Sequence, residues 1–550
     1  MDYIRKIEKY DPAIQEKIYS FLDQIDPSGV DDYLRTIAFS ALHGQKETEK
    51  EFASYKARNE GASLTEGQNP HYAYSGGSNA NGHEKYFVGQ TMVGETLVLR
   101  LPGSEWFAAD GQMVPEAQAF IALVQSKGIK QIVHSKNDSS KMLEITYAYH
   151  SAISRGENPA LSKELEGTPS VLLDYAKQCH VLYREVEIKG FDSYAAKGIN
   201  FDKAKTEAEK FKLAMAAQAL MWDLVGACQY KDPKPEIVPI LQSDFTASHY
   251  LYLAHEDRFI PVPDQEGSPA QIKAKMKSFF KDTAGHHPCT TESNEDHLAW
   301  HNTVHALSVG YGLYLKTKER RDGLNNVRLT KAGSSSCTDS RTPAHLILGR
   351  PGSDGFELYV LRAPGNSLVN NEGALTETAL RYLAIARLEQ VPVVHSHHST
   401  CGAMNAATDH LTGKNQALPP AFQTLGEAHR SIYNEVLKAG STEKEIVGHY
   451  QSRTGVKVNN FADCLGLQQL LNDVHAAQHY AKTEGASVVG VFHNTSEGQL
   501  YLYNKNKNKG NLLFVKVPSV FSPKPLMEPT RERSFSTYTL SQYIGTPAPV

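Results

Sequence analysis

Hydrophobic positions along this 550-residue chain fall into two alternating textures. Short apolar runs, "TLVLRL", "IKQIVH" and "EIVPIL" in the first half and "ELYVL", "VPVV" and "ASVVGVF" in the second, have the length and β-branched content of buried strands. Between them, segments such as "TETALRYLAIARLE" and "ADCLGLQQLLNDVHAAQHYAK" carry apolar residues at helical spacing. Buried strands alternating with helices predict an α/β fold, a mainly parallel sheet flanked by helices on both faces. Ligands in such sheets collect beyond the carboxyl ends of the strands. "VPVVHSHHSTCG" has that form, an apolar strand running straight into histidines and a cysteine. Residues 13–60 and 270–320 read as helical arms, and the Pro- and Ser-containing tail after residue 520 reads as extended chain.

The pattern also repeats. "DPAIQEKIYSFLD" from Asp11 recurs as "SPAQIKAKMKSFFKD" from Ser268, and "GETLVLRLPGS" ending at Ser104 recurs as "GFELYVLRAPGN" ending at Asn366. "QIVHSKNDS" with His134 recurs as "PVVHSHHST" with His395, "NPAL" from Asn158 as "NQAL" from Asn415, and Tyr250 of "HYLYL" falls on Tyr501 of "QLYLY". Matches in one order at nearly constant offsets predict two copies of one fold, residues 1–260 and 262–550, joined near "RFIPVPDQEGSP".

Composition narrows the function. A formal net charge of −4 argues against a nucleic-acid partner, which needs a basic face. No apolar run has the length of a membrane span, and "MDYIRKIEKYDP" lacks the apolar core of a secretory signal, so a cytoplasmic protein with no membrane partner is expected. Six cysteines scattered over the chain do not form a disulfide framework and predict reduced thiols. No Walker loop, GxGxxG or G-x-S-x-G occurs, which leaves nucleotide and serine-hydrolase readings without support.

Candidate chemistry gathers in the second copy. His398 and Cys401, three apart on the loop leaving a strand, can reach one ion together with Cys337, delivered by a neighbouring strand end. Two thiolates and an imidazole suit zinc and leave a fourth tetrahedral position open, the mark of a catalytic rather than a structural site. Asp339 and Arg341 follow Cys337 in "CTDSR", so a carboxylate can stand beside the metal while a guanidinium orients it.

This constellation resembles the β-class carbonic anhydrases. Their Cys-x-Asp-x-Arg motif appears as "CTDSR" at 337–341, their His-x-x-Cys-Gly as "HSTCG" at 398–402, and their Arg-Asn-Ala-Gly-Asn turn, altered, as "RAPGN" at 362–366; "GVFHNTSEGQL" echoes a late strand pair. The resemblance covers about 325–505. It implies one Zn2+ per chain on Cys337, His398 and Cys401, an Asp339–Arg341 dyad, and reversible hydration of carbon dioxide to bicarbonate by zinc-bound hydroxide. It also implies that the tandem copies pack as a pseudo-dimer, since family members are dimers with sites near the interface; a homodimer of tandem chains is compatible with this. Three departures stand out: His397 occupies a position where the family has glycine and adds a rival imidazole or a proton carrier, "TKAGSSSC" is small and polar where the family's strand is apolar, and Pro364 replaces an alanine.

In the first copy Asn137 aligns with His398 and Ser140 with Cys401, and "SNANG" at 78–82 falls near "CTDSR", so no zinc site is expected there. The histidines of "HLAWHNTVH" (His297, His301, His305) lack the glutamate of a zincin helix, "HHPC" at 286–289 reads as a turn, "KERR" at 318–321 as a helix C-terminus and "NKNKNKG" at 504–510 as a solvated loop. Two alternatives to carbon dioxide hydration stay open: the same zinc chemistry on carbon disulfide or carbonyl sulfide, and a non-catalytic zinc scaffold in which a side chain closes the fourth position.

Overall fold

The computed structural model describes residues 7–26, 32–58, 72–77, 96–107, 112–229, 235–263, 267–283, 332–339, 358–414, 420–504 and 513–519. Arg341, "SNANG", the histidines of "HLAWHNTVH", "HHPC", "KERR", most of "NKNKNKG" and the tail from 520 lie outside the described residues.

The first half contributes strands β1 (Tyr72–Gly77), β2 (Thr96–Leu101), β3 (Gln131–Asn137), β4 (Glu236–Ser243), β5 (Ser248–Leu253) and β6 (Arg258–Pro261). The second contributes β7 (Ala332–Cys337), β8 (Leu358–Ala363), β9 (Val393–His398), β10 (Val488–Asn494), β11 (Gln499–Tyr503) and β12 (Phe514–Lys516). All join one twelve-stranded sheet in the order β12-β11-β10-β9-β7-β8-β2-β1-β3-β4-β5-β6, which reads the same from either end once β1–β6 are matched to β7–β12. Neighbours within each half are parallel from β2 to β4 and from β8 to β10, and the outer strands turn back antiparallel. At the centre β2 and β8 run antiparallel and meet at Arg100 and Arg362. The α/β architecture with flanking helices is the expected one; the sheet is mixed because the outer strands of each half pair antiparallel with their neighbours.

Period-two alternation decides what each strand face touches. On one face Ala73, Leu97, Leu99 and Ile132 of the first half and Tyr359, Leu361 and Val393 of the second share a continuous core with the helices. On the other face Val360, Val394, Val489, Val491, Leu500 and Leu502 of the second half are covered by Ile18, Phe21, Leu22, Ile37 and Leu42 from helices Pro12–Ile25 and Asp32–Arg58, which precede the first half's strands. Gln45 seals that contact, its Oε1 accepting from the Leu500 N–H at 2.7 Å and its Nε2 donating to the Gly498 carbonyl at 2.9 Å. Helix Pro269–Thr283 does the reverse: Phe279 and Ile272 pack on Tyr74, Val98, Val133 and Val238 of the first half. Each segment preceding one half's strands thus covers the sheet of the other. On the helical side, Arg381 of the second half lies 3.3 Å from Glu105 of the first and over the ring of Tyr175.

No helix among the described residues is long and apolar enough to cross a membrane. Because Phe21 is fully buried against another half's sheet, Phe21→Ala is expected to cost about 3–5 kcal/mol and to lower the unfolding transition of the second half, read by hydrogen exchange on β10 and β11.

Candidate metal centre

Cys337 ends β7, His398 ends β9, and Cys401 caps the start of helix Gly402–Leu411. Parallel β7 and β9 are adjacent, so both carboxyl ends deliver their side chains to one place. One ligand atom from each of the three residues lies within 4.8 Å of the others, all buried. The two Sγ atoms are 3.8 Å apart. Two sulfurs each about 2.3 Å from a zinc ion at the tetrahedral angle would be about 3.8 Å apart, so the thiol pair fits that ion. Hydrogen bonding from Cys401, opposed by burial and aided by His398, pulls the Cys337 thiol well below the ordinary cysteine range, while the same contact and burial push Cys401 up. His398 Nδ1 lies 2.9 Å from the Ser399 carbonyl, and its Nε2 is 4.0 Å from Asp339 Oδ2.

Arg362, the first residue of "RAPGN", fixes the turn after Cys337. Its Nε donates to the Cys337 carbonyl at 3.0 Å and its Nη2 to the Asp339 carbonyl at 2.7 Å. From the first half, the Val98 N–H donates to the carbonyl of Thr338 at 3.1 Å. The turn after Cys337 is therefore held by both halves of the chain.

Behind the site lies a buried polar network. Asn366 Nδ2 donates to His395 Nδ1 at 3.3 Å, Ser335 Oγ lies 3.1 Å from the same nitrogen, and His395 Nε2 is 2.9 Å from Asp473 Oδ2. His397 does not join the thiols as a rival ligand: its Nε2 is 3.2 Å from Asp473 Oδ2, because residues two apart on a strand share a face. Burial opposes ionisation of Asp473, but the hydrogen bonds from His395 and His397 outweigh it and hold its carboxyl down at about 2. Ser335 explains the small, polar β7, and Gly333 leaves room that a Cβ would take from the Tyr382 hydroxyl and Val393.

The first half repeats the network: Ser75 Oγ is 3.2 Å from His134 Nδ1, and His134 Nε2 is 2.8 Å from Asp223 Oδ2. Lys136 stands where His397 does, its ammonium 2.9 Å from Asp223. Three histidine and carboxylate ligand atoms also converge at His395, His397 and Asp473. The near-identical histidine–carboxylate distance beside Lys136 shows that hydrogen bonding to a buried carboxylate accounts for this geometry without a second ion. A Ser-His-Asp array sealed from solvent in both halves is a device of the fold rather than a catalytic triad.

Strand register corrects one alignment. Ser75 pairs with His134 as Ser335 pairs with His395, and Gly77 pairs with Leu101 as Cys337 pairs with Ala363. Gly77, one residue before "SNANG", therefore stands at the Cys337 position. Asn137 ends β3 as His398 ends β9, and its Oδ1 accepts from the Ser139 N–H at 2.6 Å. Asp138 next to it accepts from the Asp244 N–H at 2.9 Å and from Ser243 Oγ at 2.5 Å; burial, then the charge of Asp244, raises its carboxyl to about 7. Hydrogen bonds fill the place that has thiols and imidazole in the second half.

Residues 334–500 match the family model described as carbonic anhydrase. No curated protein matches the chain. Among solved structures, the chain is similar to the β-carbonic anhydrase CcaA (18% identity, 35% of this chain and 81% of that one, TM-score 0.26). It is also similar to the β-carbonic anhydrase CafA of Aspergillus fumigatus (16%, 35% and 85%, TM-score 0.25) and to a structure from work on two tetrameric β-carbonic anhydrases of Sordaria macrospora (17%, 38% and 97%, TM-score 0.26).

Removing either buried carboxylate strands its partners, so Asp473→Asn and Asp223→Asn are each expected to lower stability by about 3 kcal/mol in chemical denaturation. For Asp138, the folded state keeps a proton that the unfolded chain releases between about pH 4 and pH 7. Its contribution to stability is complete at the acid end and is lost as pH rises through 7. Asp138→Asn should therefore raise the melting temperature at pH 8 relative to wild type and change it less at pH 5, as thermal melts at the two pH values will read.

Proposed function

We propose, from the match of residues 334–500 to the carbonic anhydrase family model, that this chain is a zinc-dependent lyase that hydrates carbon dioxide to bicarbonate and a proton. The observation that carries the reading is the buried convergence of Cys337, His398 and Cys401 with their sulfurs 3.8 Å apart. These three residues would hold one Zn2+ per chain. Bound zinc supplies a Lewis acid that makes water nucleophilic near neutral pH.

The protein's part is orientation. Asp339, half-buried beside His398, would accept a hydrogen bond from the nucleophile and aim its lone pair at carbon, and Arg341 would hold that carboxylate ionised. Arg362 fixes both carbonyls flanking Thr338, so the spacing between the Cys337 sulfur and the Asp339 carboxylate does not depend on a mobile turn. His397, engaged by Asp473, supports the strand from behind.

The chain reads as two copies of one fold, 1–260 without metal ligands and 262–550 with them, packed as a pseudo-dimer. The matching strand order of the two halves, the crossed arms and the Val98–Thr338 contact support that reading. In this arrangement the first copy supplies wall and rigidity and the second the chemistry. Free thiols at Cys337 and Cys401 suit a reducing compartment such as the cytoplasm.

Purified protein is expected to contain one zinc per chain and to lose it in Cys401→Ser. Stopped-flow carbon dioxide hydration near pH 8 should fall about 100-fold in Asp339→Ala with zinc retained. Full zinc occupancy with no hydration above the buffer rate would overturn the assignment.

A further inference from the structure

The loop between His398 and Cys401 contains a conformation that the first half lacks. Thr400 sits at φ 55°, a left-handed backbone that β-branched residues rarely adopt. Several other left-handed positions recur in step between the halves: Gly103 with Gly365, Ser104 with Asn366, Gly128 with Gln390, Gly156 with Gly413, and Ala247 with Gly498. Thr400 does not, since Ser139 at the corresponding place in the first half has an ordinary φ.

What holds Thr400 is equally specific. Its N–H donates to Asp463 Oδ1 at 2.7 Å, and its hydroxyl lies 3.0 Å from that of Thr495. Asp463 Oδ2 accepts from the Asn459 N–H at 2.9 Å, and the Asp463 N–H donates to Asn460, the cap of helix Phe461–Tyr480. The carboxylate is buried and tied at both oxygens, so it forms a rigid acceptor for the loop.

The equivalent helix of the first half, Glu207–Gln229, can be aligned by its contacts. Gln468 Oε1 accepts from the Tyr450 hydroxyl as Gln218 Oε1 does from Tyr194, and Asp473 meets His395 as Asp223 meets His134. Counting back from either pair puts Leu213, buried and apolar, at the Asp463 position. The half without metal ligands thus lacks the carboxylate, the left-handed residue and the ligands together.

We propose that Asp463 is a positioning residue of the metal centre: by holding the Thr400 N–H it stabilises the left-handed turn that brings Cys401 back to His398. The inference rests on the zinc reading above. Without the carboxylate, Thr400 relaxes to an extended φ and the Cys401 sulfur moves away from the His398 ring.

The test uses the full chain, with zinc affinity from chelator competition and exchange of the Thr400 amide read by hydrogen–deuterium exchange. Asp463→Asn is expected to weaken zinc binding about 10–100-fold and to deprotect the Thr400 amide. Adding Thr400→Gly should restore most of the affinity, because glycine adopts positive φ without the hydrogen bond; a purely structural role for Asp463 would give no such rescue. Thr400→Pro, which locks φ near −65° with Asp463 intact, should reproduce the affinity loss and serves if Asp463→Asn does not fold. Wild-type affinity and a protected Thr400 amide in Asp463→Asn would overturn the proposal, as would wild-type affinity in Thr400→Pro. Wild-type protein that binds no zinc, or binds it equally well as Cys401→Ser, would instead sink the metal reading itself.

Discussion

Strands β2 and β8 meet antiparallel at Arg100 and Arg362, and much of the molecule follows from that junction. Two half-sheets that would otherwise end in open edges become one, which removes the exposed backbone donors and acceptors that invite aggregation. The junction also brings the first half to the turn after Cys337 through Val98 and Thr338. Arg362 turns its guanidinium to the carbonyls of Cys337 and Asp339, so the strand that joins the halves also shapes the candidate site. The crossed arms add a hydrophobic constraint to the same end, since each covers apolar strands of the other half.

A second layer of order lies in the buried carboxylates. Asp223 and Asp473 each link a long helix to a central strand through a histidine, and each is surrounded by hydrogen-bond donors. A buried carboxylate is costly unless so compensated, and its loss leaves the donors unpaired, which favours retention of the array as a unit. That array is present in both halves, whereas the buried cluster of Cys337, His398 and Cys401 is in one. Fold and chemistry are therefore separable here: the first half keeps the charged skeleton while hydrogen bonds among Asn137, Asp138, Ser139, Ser243 and Asp244 close the place of the ligands.

Reading the chain alone fared unevenly for physical reasons. Strand and helix patterns were legible because burial imposes periods of two and 3.6 on apolar residues, and the His398–Cys401 spacing was legible because one turn of loop brings both side chains together. Asp473 carried no signal, being one carboxylate in a helix far along the chain from His395. Arg362 stood out as the first residue of "RAPGN", but its task did not, because its partners are main-chain carbonyls, which have no letter in the sequence. Sequence alone sets "SNANG" near "CTDSR" but does not single out Gly77 as the residue at the Cys337 position, because composition does not fix pairing register, whereas the bonded strands do.

By itself the sequence determined the α/β texture, the repeated order of segments, and the set Cys337, His398 and Cys401 with Asp339 beside it, because these depend on local pattern and on ligand chemistry. Only the tertiary structure decided that the arms cross between halves, that His397 faces Asp473 instead of the thiols, and that Asp463 grips Thr400. These facts depend on contacts between residues distant in the chain and on which face of a strand each side chain takes, and neither is written in the order of the residues.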